Sequence, residues 1–288
     1  MAKKDGDTSA DVETTGHEWD GIEELNKPLP KWWLYILYAT IVWAIGYWIL
    51  YPAWPLVSSY TKGYLGYSER ERVAVELARS QGEKASFRDE IANSDFAAIK
   101  ADPELHNFAL SGGAAAFGDN CAPCHGRGAQ GFVGYPNLRD DAWLWGGSLD
   151  AIHKTILYGI RAEHPETHNS QMPAFGQLGM LNPEQVSDVA EHVLSLSGNA
   201  TDKDAAGRGE EIFVTNCTAC HGQGGEGNQT LGAPNLSDEL WLYGGDKAAI
   251  VESIANSRSG MMPAWNERLD PATIKELAIY VHSLGGGQ

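Results

Sequence analysis

The pattern of apolar and polar positions predicts three kinds of segment. From Trp32 to Thr61 there is no charged side chain, and Trp32 to Tyr51 is apolar all round, without a polar face. Twenty helical residues rise roughly 30 Å, the thickness of a bilayer core. Trp32 and Trp33 stand at one end and Tyr51 and Trp54 at the other, where interfacial aromatics belong. Pro28 and Pro30 precede the run and Pro52 ends it. The run is too long for a secretory signal and no small-x-small cleavage site follows it. It is too uniformly apolar for an ordinary core helix. One uncleaved anchor in the lipid bilayer is expected.

Toward the C-terminus the period becomes that of amphipathic helices. Val186, Val189, Val193 and Leu196 share one face, as do Ile274, Leu277, Val281 and Leu284. They predict helices over about 183–197 and 271–284. Asn182-Pro183 and Asp270-Pro271 open them with a cap and a proline in the first turn. Ser148 and Asp246 can cap two more helices, the second running to about Ser257. Residues 69–106 read as a helical or irregular connector. The tail from Met1 to Asn26 is polar and mostly acidic, and is expected to be mobile.

Composition narrows the function. The chain has 288 residues, 43% of them hydrophobic, enough for about two domains with real cores. The net charge of −17 excludes nucleic acid as a natural partner, because phosphate backbones recruit basic surfaces. An acidic surface suits a basic partner, or simply keeps the chain soluble.

The four cysteines carry the chemistry. Cys121-Ala-Pro-Cys124-His125 and Cys217-Thr-Ala-Cys220-His221 are both C-x-x-C-H, the attachment motif of c-type haem. Two thiols bond the haem vinyl groups and the histidine ligates the iron. A thioredoxin pair would need a βαβ setting, and a zinc site would leave both histidines without a role. Two covalently bound haem c groups are expected. Covalent haem attachment belongs to the bacterial periplasm, so residues after about 55 should lie outside and the N-terminus in the cytoplasm. Lys3, Lys4, Lys27 and Lys31 before the span, against Lys62, Arg70 and Arg72 after it, lean the same way.

The sequence after Asn107 is a repeat. Gly113 and Phe117 lie before one motif, Gly209 and Phe213 before the other. Each pair is one helical turn apart, and the glycine permits close approach by another helix. Pro136-Asn-Leu is matched by Pro234-Asn-Leu, Trp143-Leu-Trp-Gly-Gly by Trp241-Leu-Tyr-Gly-Gly, and Met172-Pro-Ala-Phe by Met262-Pro-Ala-Trp. The methionines are the candidate sixth iron ligands, since a thioether opposite histidine makes an electron-carrying haem and raises its potential. Alignment on the proline selects Met262 over Met261. Met180 has no counterpart and is expected in the core. His17, His106, His153, His164, His168, His192 and His282 do not recur in the repeat and read as surface or core residues. Each C-terminal helix is expected to pack on the helix preceding its own C-x-x-C-H. The simplest topology gives Met172 to the His125 haem and Met262 to the His221 haem, although an exchange between closely packed modules stays open.

These motifs resemble class I cytochrome c domains. In that family the proline carbonyl before Asn-Leu accepts a hydrogen bond from the haem histidine, which assigns Pro136 and Pro234 that role. The whole chain, with Pro28-Leu-Pro-Lys-Trp-Trp33 before the anchor and Tyr51-Pro-Ala-Trp-Pro55 ending it, resembles subunit III of cbb3-type cytochrome c oxidase, the CcoP or FixP family. The resemblance implies a mainly α fold with one N-terminal transmembrane helix and two tandem cytochrome c domains. Their expected bounds are a tail 1–31, an anchor 32–54, a periplasmic connector 55–107, and domains 108–199 and 203–288. It implies electron relay from a donor cytochrome c, through a monohaem subunit, to a haem–copper subunit that reduces oxygen. This chain has no histidine cluster for oxygen chemistry, so it is expected to carry electrons and to have no catalytic residue. A free-standing dihaem carrier and a haem-based sensor are the competing readings. The aromatic anchor with its flanking prolines favours the oxidase subunit, and the two methionines and short tail argue against a sensor.

Overall fold

The computed structural model describes residues 13–286, divided into two compact units, Met1–Gln81 and Gly82–Gln288. In the first, β1 (Thr14–Trp19) and β2 (Ile22–Leu25) form an antiparallel hairpin, with Trp19 opposite Ile22. This replaces the expected mobile tail over those residues; the same expectation for residues 1–12 lies outside the described residues. The physical reason is Asp20-Gly21, which takes φ of 52° and 82°. Positive φ at both central positions is what a tight hairpin turn requires. The helix α1 (Lys31–Leu50) buries none of its residues, and the chain leaves it at Tyr51 in an extended conformation. It is long and apolar enough to anchor the chain in a membrane. Trp43, Tyr47 and Tyr51 stack along it at centroid separations of 5.5 and 4.6 Å. The boundary between the units falls within α2 (Glu69–Asn93).

The second unit holds α3 (Phe96–Ala101), α4 (Pro103–Asn120), α5 (Ala122–His125), α6 (Leu149–Tyr158), α7 (Pro183–Leu196), α8 (Lys203–Asn216), α9 (Thr218–His221), α10 (Lys247–Asn256) and α11 (Pro271–Ser283). Side chains cap them as the sequence foreshadows. Ser148 accepts from the Ala151 N–H, Asp246 from Ala249 and Asp270 from Thr273. Asn182 and Gln185 form a reciprocal capping box.

These helices make two bodies, and the bodies are not the two sequence repeats. In the first, α4, α6 and α11 bury Phe117, Ile152, Ile156, Ile274, Leu277 and Val281 together. In the second, α7, α8 and α10 bury Val186, Val189, Val193, Phe213, Ile250 and Ile254. The expectation that each C-terminal helix packs on the first helix of its own repeat is therefore corrected. The α7 helix packs on α8, and α11 on α4. Linker length supplies a reason. Only residues 197–202 separate α7 from α8, and helices joined by so short a connection stay neighbours. The glycines anticipate the closeness but not the partner. A Cβ at Gly113 would lie 2.2 Å from the Glu276 carbonyl oxygen, and one at Gly209 would lie 2.1 Å from that of Asp188.

The second body is thus one continuous stretch, from Met172 to Asn256. The first is assembled from the chain before it and the chain after it. The connector joins the first body as well. Ile91, Ile99, Leu105 and Ala109 form a core with Ala272 and Ile279. Lys275 Nζ donates to the carbonyls of Ile91, Ala92 and Ser94 at 3.2, 2.8 and 2.6 Å.

Candidate haem sites

Each C-x-x-C-H motif begins at a helix end. Cys121 closes α4 with its N–H on the Phe117 carbonyl, and Cys217 closes α8 on Phe213. The motif then makes one short turn, α5 or α9, and stops at a glycine with φ near 80°, Gly126 or Gly222. The histidine carbonyl is held next: the Gly131 N–H donates to His125 O and the Gly227 N–H to His221 O, both at 2.8 Å. A Cβ at Gly131 would sit 2.3 Å from the Tyr135 carbonyl oxygen, so this turn has no room for a side chain.

The loops return each imidazole to a proline. His125 Nδ1 lies 3.0 Å from the Pro136 carbonyl, and His221 Nδ1 lies 2.9 Å from that of Pro234. A carbonyl only accepts, so Nδ1 carries the proton and Nε2 keeps its lone pair for a metal. Burial lowers both imidazole pKa values, with the proline bond opposing. Both rings are accordingly neutral at neutral pH. Burial, then the neighbouring thiol, pushes Cys121 and Cys217 up to about 11, while Cys124 and Cys220 are exposed. Cys121 and Cys217 are held as thiols.

The methionines complete the arrangement across the repeats. Met172 packs against the core that contains Phe213, against which Cys217 and Leu236 also pack. Met262 packs against the core that contains Phe117, against which Cys121 and Leu138 also pack. Each motif therefore gathers the methionine of the other repeat. Met261 is 69% exposed, whereas Met262 is partly buried. Met180 is 52% exposed, which corrects its expected place in the core. Residues 177–180 are exposed, while Phe175 before them is buried in the core.

The donor set fits haem c: two thiols, a neutral imidazole with a free Nε2, and a thioether in each body. Trp143 adds an independent sign. Its Nε1–H is buried without an acceptor, a costly condition that an anionic group at the site would relieve. Four of the other histidines have partners of their own, while His106 Nδ1 is buried without a hydrogen-bond partner. His168 Nε2 lies 3.2 Å from the Thr155 hydroxyl and its ring stacks on Trp145. His164 pairs with Asn266, His192 packs against Phe213 and His153 against Phe96.

Sequence reading missed the seam between the bodies. Trp145 and Tyr243, matched positions in the repeat, reach across it in both directions. Trp145 covers Gly232, where a Cβ would lie 2.2 Å from the indole. Tyr243 lies against Gly134, whose N–H donates to Leu242 O at 2.8 Å. Each glycine stands two residues before a histidine-binding proline. The matched Gly–x–Pro spacing was the available signal.

Comparison with known proteins agrees along nearly the full chain. Residues 11–58 match the N-terminal domain of cytochrome oxidase-cbb3, FixP. Residues 108–193 and 204–281 match cytochrome c oxidase, cbb3-type, subunit III. The chain is 57% identical over 277 residues to the cbb3-type cytochrome c oxidase subunit FixP of Bradyrhizobium diazoefficiens, covering 96% of this chain and 95% of the relative. It is 50% identical to subunit CcoP of Azospirillum brasilense, covering 100% of both. It is 51% identical to subunit CcoP of Cereibacter sphaeroides, covering 96% and 95%.

Proposed function

Because the chain belongs to the cbb3-type cytochrome c oxidase subunit III family, we propose that it binds two haem c groups covalently and relays electrons from a donor cytochrome c, through a monohaem subunit, toward the oxygen-reducing haem–copper subunit. It is an electron-transfer subunit of such an oxidase, and its cytochrome c modules bind haem c. In this reading Cys121 and Cys124 attach one haem, and Cys217 and Cys220 the other. His125 and Met262 would hold the iron of the first, His221 and Met172 that of the second. Each pairing joins the two sequence modules, 108–199 and 203–288. The anchor α1 leaves the N-terminus in the cytoplasm and both bodies in the periplasm.

The observation that carries the assignment is the gathering of each methionine with the other repeat's C-x-x-C-H in one core. When bound, haem c supplies a one-electron iron couple. The protein holds its ligands still. Pro136 and Pro234 fix the imidazole rings and keep Nε2 unprotonated. Phe117 and Phe213, both buried, hold the helices that present the thiols. The thioether side chains would hold the iron with a soft donor and so exclude a hard exogenous ligand.

The pairing is tested with one haem removed. In a Cys217→Ala, Cys220→Ala background, Met262→Ala should lower the remaining potential and open that haem to carbon monoxide, while Met172→Ala leaves both unchanged. The opposite result would assign the methionines within their own repeats. The complex is tested by purifying the tagged chain in mild detergent. Oxygen uptake with copurified b-type haem and a second haem c polypeptide supports the oxidase subunit. Recovery of this chain alone, under conditions that retain weak complexes, supports a free-standing carrier.

A further inference from the structure

The second body is spliced into the first through two strands of chain, one leading in to Met172 and one leading out to Met262. Both pass Arg161. Its Nε donates to the Gly260 carbonyl at 2.6 Å, and its Nη1 donates to the Ser170 carbonyl at 2.8 Å. Ser170 stands two residues before Met172, and Gly260 two residues before Met262. One guanidinium therefore grips both methionine segments at matched positions.

The backbone around Arg161 continues the junction. Ile160 and Met262 exchange hydrogen bonds, N–H to carbonyl in each direction, at 2.9 and 3.0 Å. The Arg161 N–H donates to His168 O at 2.8 Å. A Cβ on Gly159 would meet the Met262 carbonyl oxygen at 2.3 Å, so the two strands are in direct backbone contact. Arg161 itself takes φ of 52°, a left-handed conformation uncommon for a residue with a side chain. The fold holds it there, and the held backbone aims the side chain between the two carbonyls. Arg258, which stands on the outgoing strand, makes no such bridge. Its guanidinium turns back to the Ala249 carbonyl and the Ser253 hydroxyl of α10, within the second body.

We propose that Arg161 is a shared positioning residue that sets the placement of Met172 and Met262 together, so that the axial ligation of the two haem sites is coupled through one side chain. The proposal rests on the reading of both methionines as iron ligands. Two hydrogen bonds from one rigid fork fix the strands relative to one another as well as to the arginine, which a lysine ammonium cannot reproduce with the same geometry. Loosening the fork frees both methionine segments at once. A ligand specific to one body would move only one.

The test uses the full-length holoprotein in detergent. Potentiometric titration resolves the two potentials, and the methionine–iron charge-transfer band reports the sixth ligand directly. Met172→Ala and Met262→Ala first assign one potential and one part of the band to each site. Arg161→Gln is then expected to lower both potentials and to weaken both parts of the band, with Arg161→Lys restoring neither fully. Arg258→Gln, whose hydrogen bonds all stay in the second body, is expected to leave the His125 site unchanged. Far-UV circular dichroism and haem content verify that each variant folds and is loaded. If Arg161→Gln unfolds, the same comparison is made on Arg161→Lys. A shift confined to one site, or none, overturns the shared clamp. If the methionine variants leave the band untouched, the ligand assignment itself falls, and the clamp with it.

Discussion

The two bodies share a plan but satisfy their buried acids differently. In the second, Asp188 on α7 takes a bidentate pair from Arg208 at 2.8 and 2.7 Å. The position matching Arg208 in the first body is Gly112, and the residue matching Asp188 is Glu276. Glu276 is 2% exposed, fills the space over Gly112 and leaves Oε1 without a partner. Arg88, from α2, stands 3.9 Å away and is engaged with Asp270 at 2.7 Å. A second difference lies one turn on. Glu191 in the second body receives Thr201, Asp202 and Lys247, while the matching Ile279 packs on the connector. One body closes on its own linker through hydrogen bonds. The other recruits residues 82–102 through apolar contact and Lys275. The same helix pair can thus be completed by quite different neighbours.

The largest test of this comparison strikes what the bodies have in common. Gly113→Ala and Gly209→Ala each force a Cβ against a backbone carbonyl, an overpacking expected to cost about 3 kcal/mol. Thermal melting should show either loss, and haem content should fall at Cys121/Cys124 for the first and at Cys217/Cys220 for the second. Equal damage to both sites from one substitution would mean the bodies do not fold separately.

Lys275→Met is the next in size, because it leaves three carbonyls of the connector unpaired. A loss of about 2 kcal/mol is expected. Hydrogen exchange should rise over residues 91–105 and not in α7 or α8. Uniform protection would remove the connector from the first body.

The smallest effects are in pH dependence, and they have opposite signs. Burial raises the Glu276 pKa, opposed by Arg88. The native state then holds a proton that the unfolded chain has lost, so stability falls as pH rises above the ordinary glutamate range. Glu276→Gln should recover about 1 kcal/mol at mildly alkaline pH. For Glu191, burial works against the charge, but bonds from Lys247, Thr201 and the Asp202 N–H outweigh it and bring the pKa down from 4.5 to about 2. Its contribution is present above 4.5 and lost as pH falls toward 2. Glu191→Gln should destabilise the second body at neutral pH, and the difference from wild type should vanish in acid. Denaturation series across pH check both; slopes of the same sign would break the contrast.

The elements were legible where local chemistry dictates them. Caps at Asn182, Asp246 and Asp270, the helical stripes of α7 and α11, and the glycine–aromatic pairs all follow from short-range pattern. The partner of each stripe did not, since Val189 and Leu277 specify an apolar neighbour without naming it. The repeat encouraged pairing within modules, while the brevity of residues 197–202 favoured pairing between them. Arg161 was invisible because its role depends on two strands that meet only in the folded chain. The Asp20-Gly21 turn is a hairpin signal in itself, but the acidic residues around it give the segment the composition of a solvated tail.

The splice also sets a schedule for synthesis. The second body's partners lie within one short stretch, and its loops close early at little entropic cost. The first body waits for α11, the last helix described, to meet α4 from far upstream. As the chain emerges, Phe117, Ile152 and Ile156 remain uncovered while their neighbour is still unmade. Truncation just after α10 would leave the downstream body able to close and strand the upstream one half-built. The motif made first belongs to the body finished last.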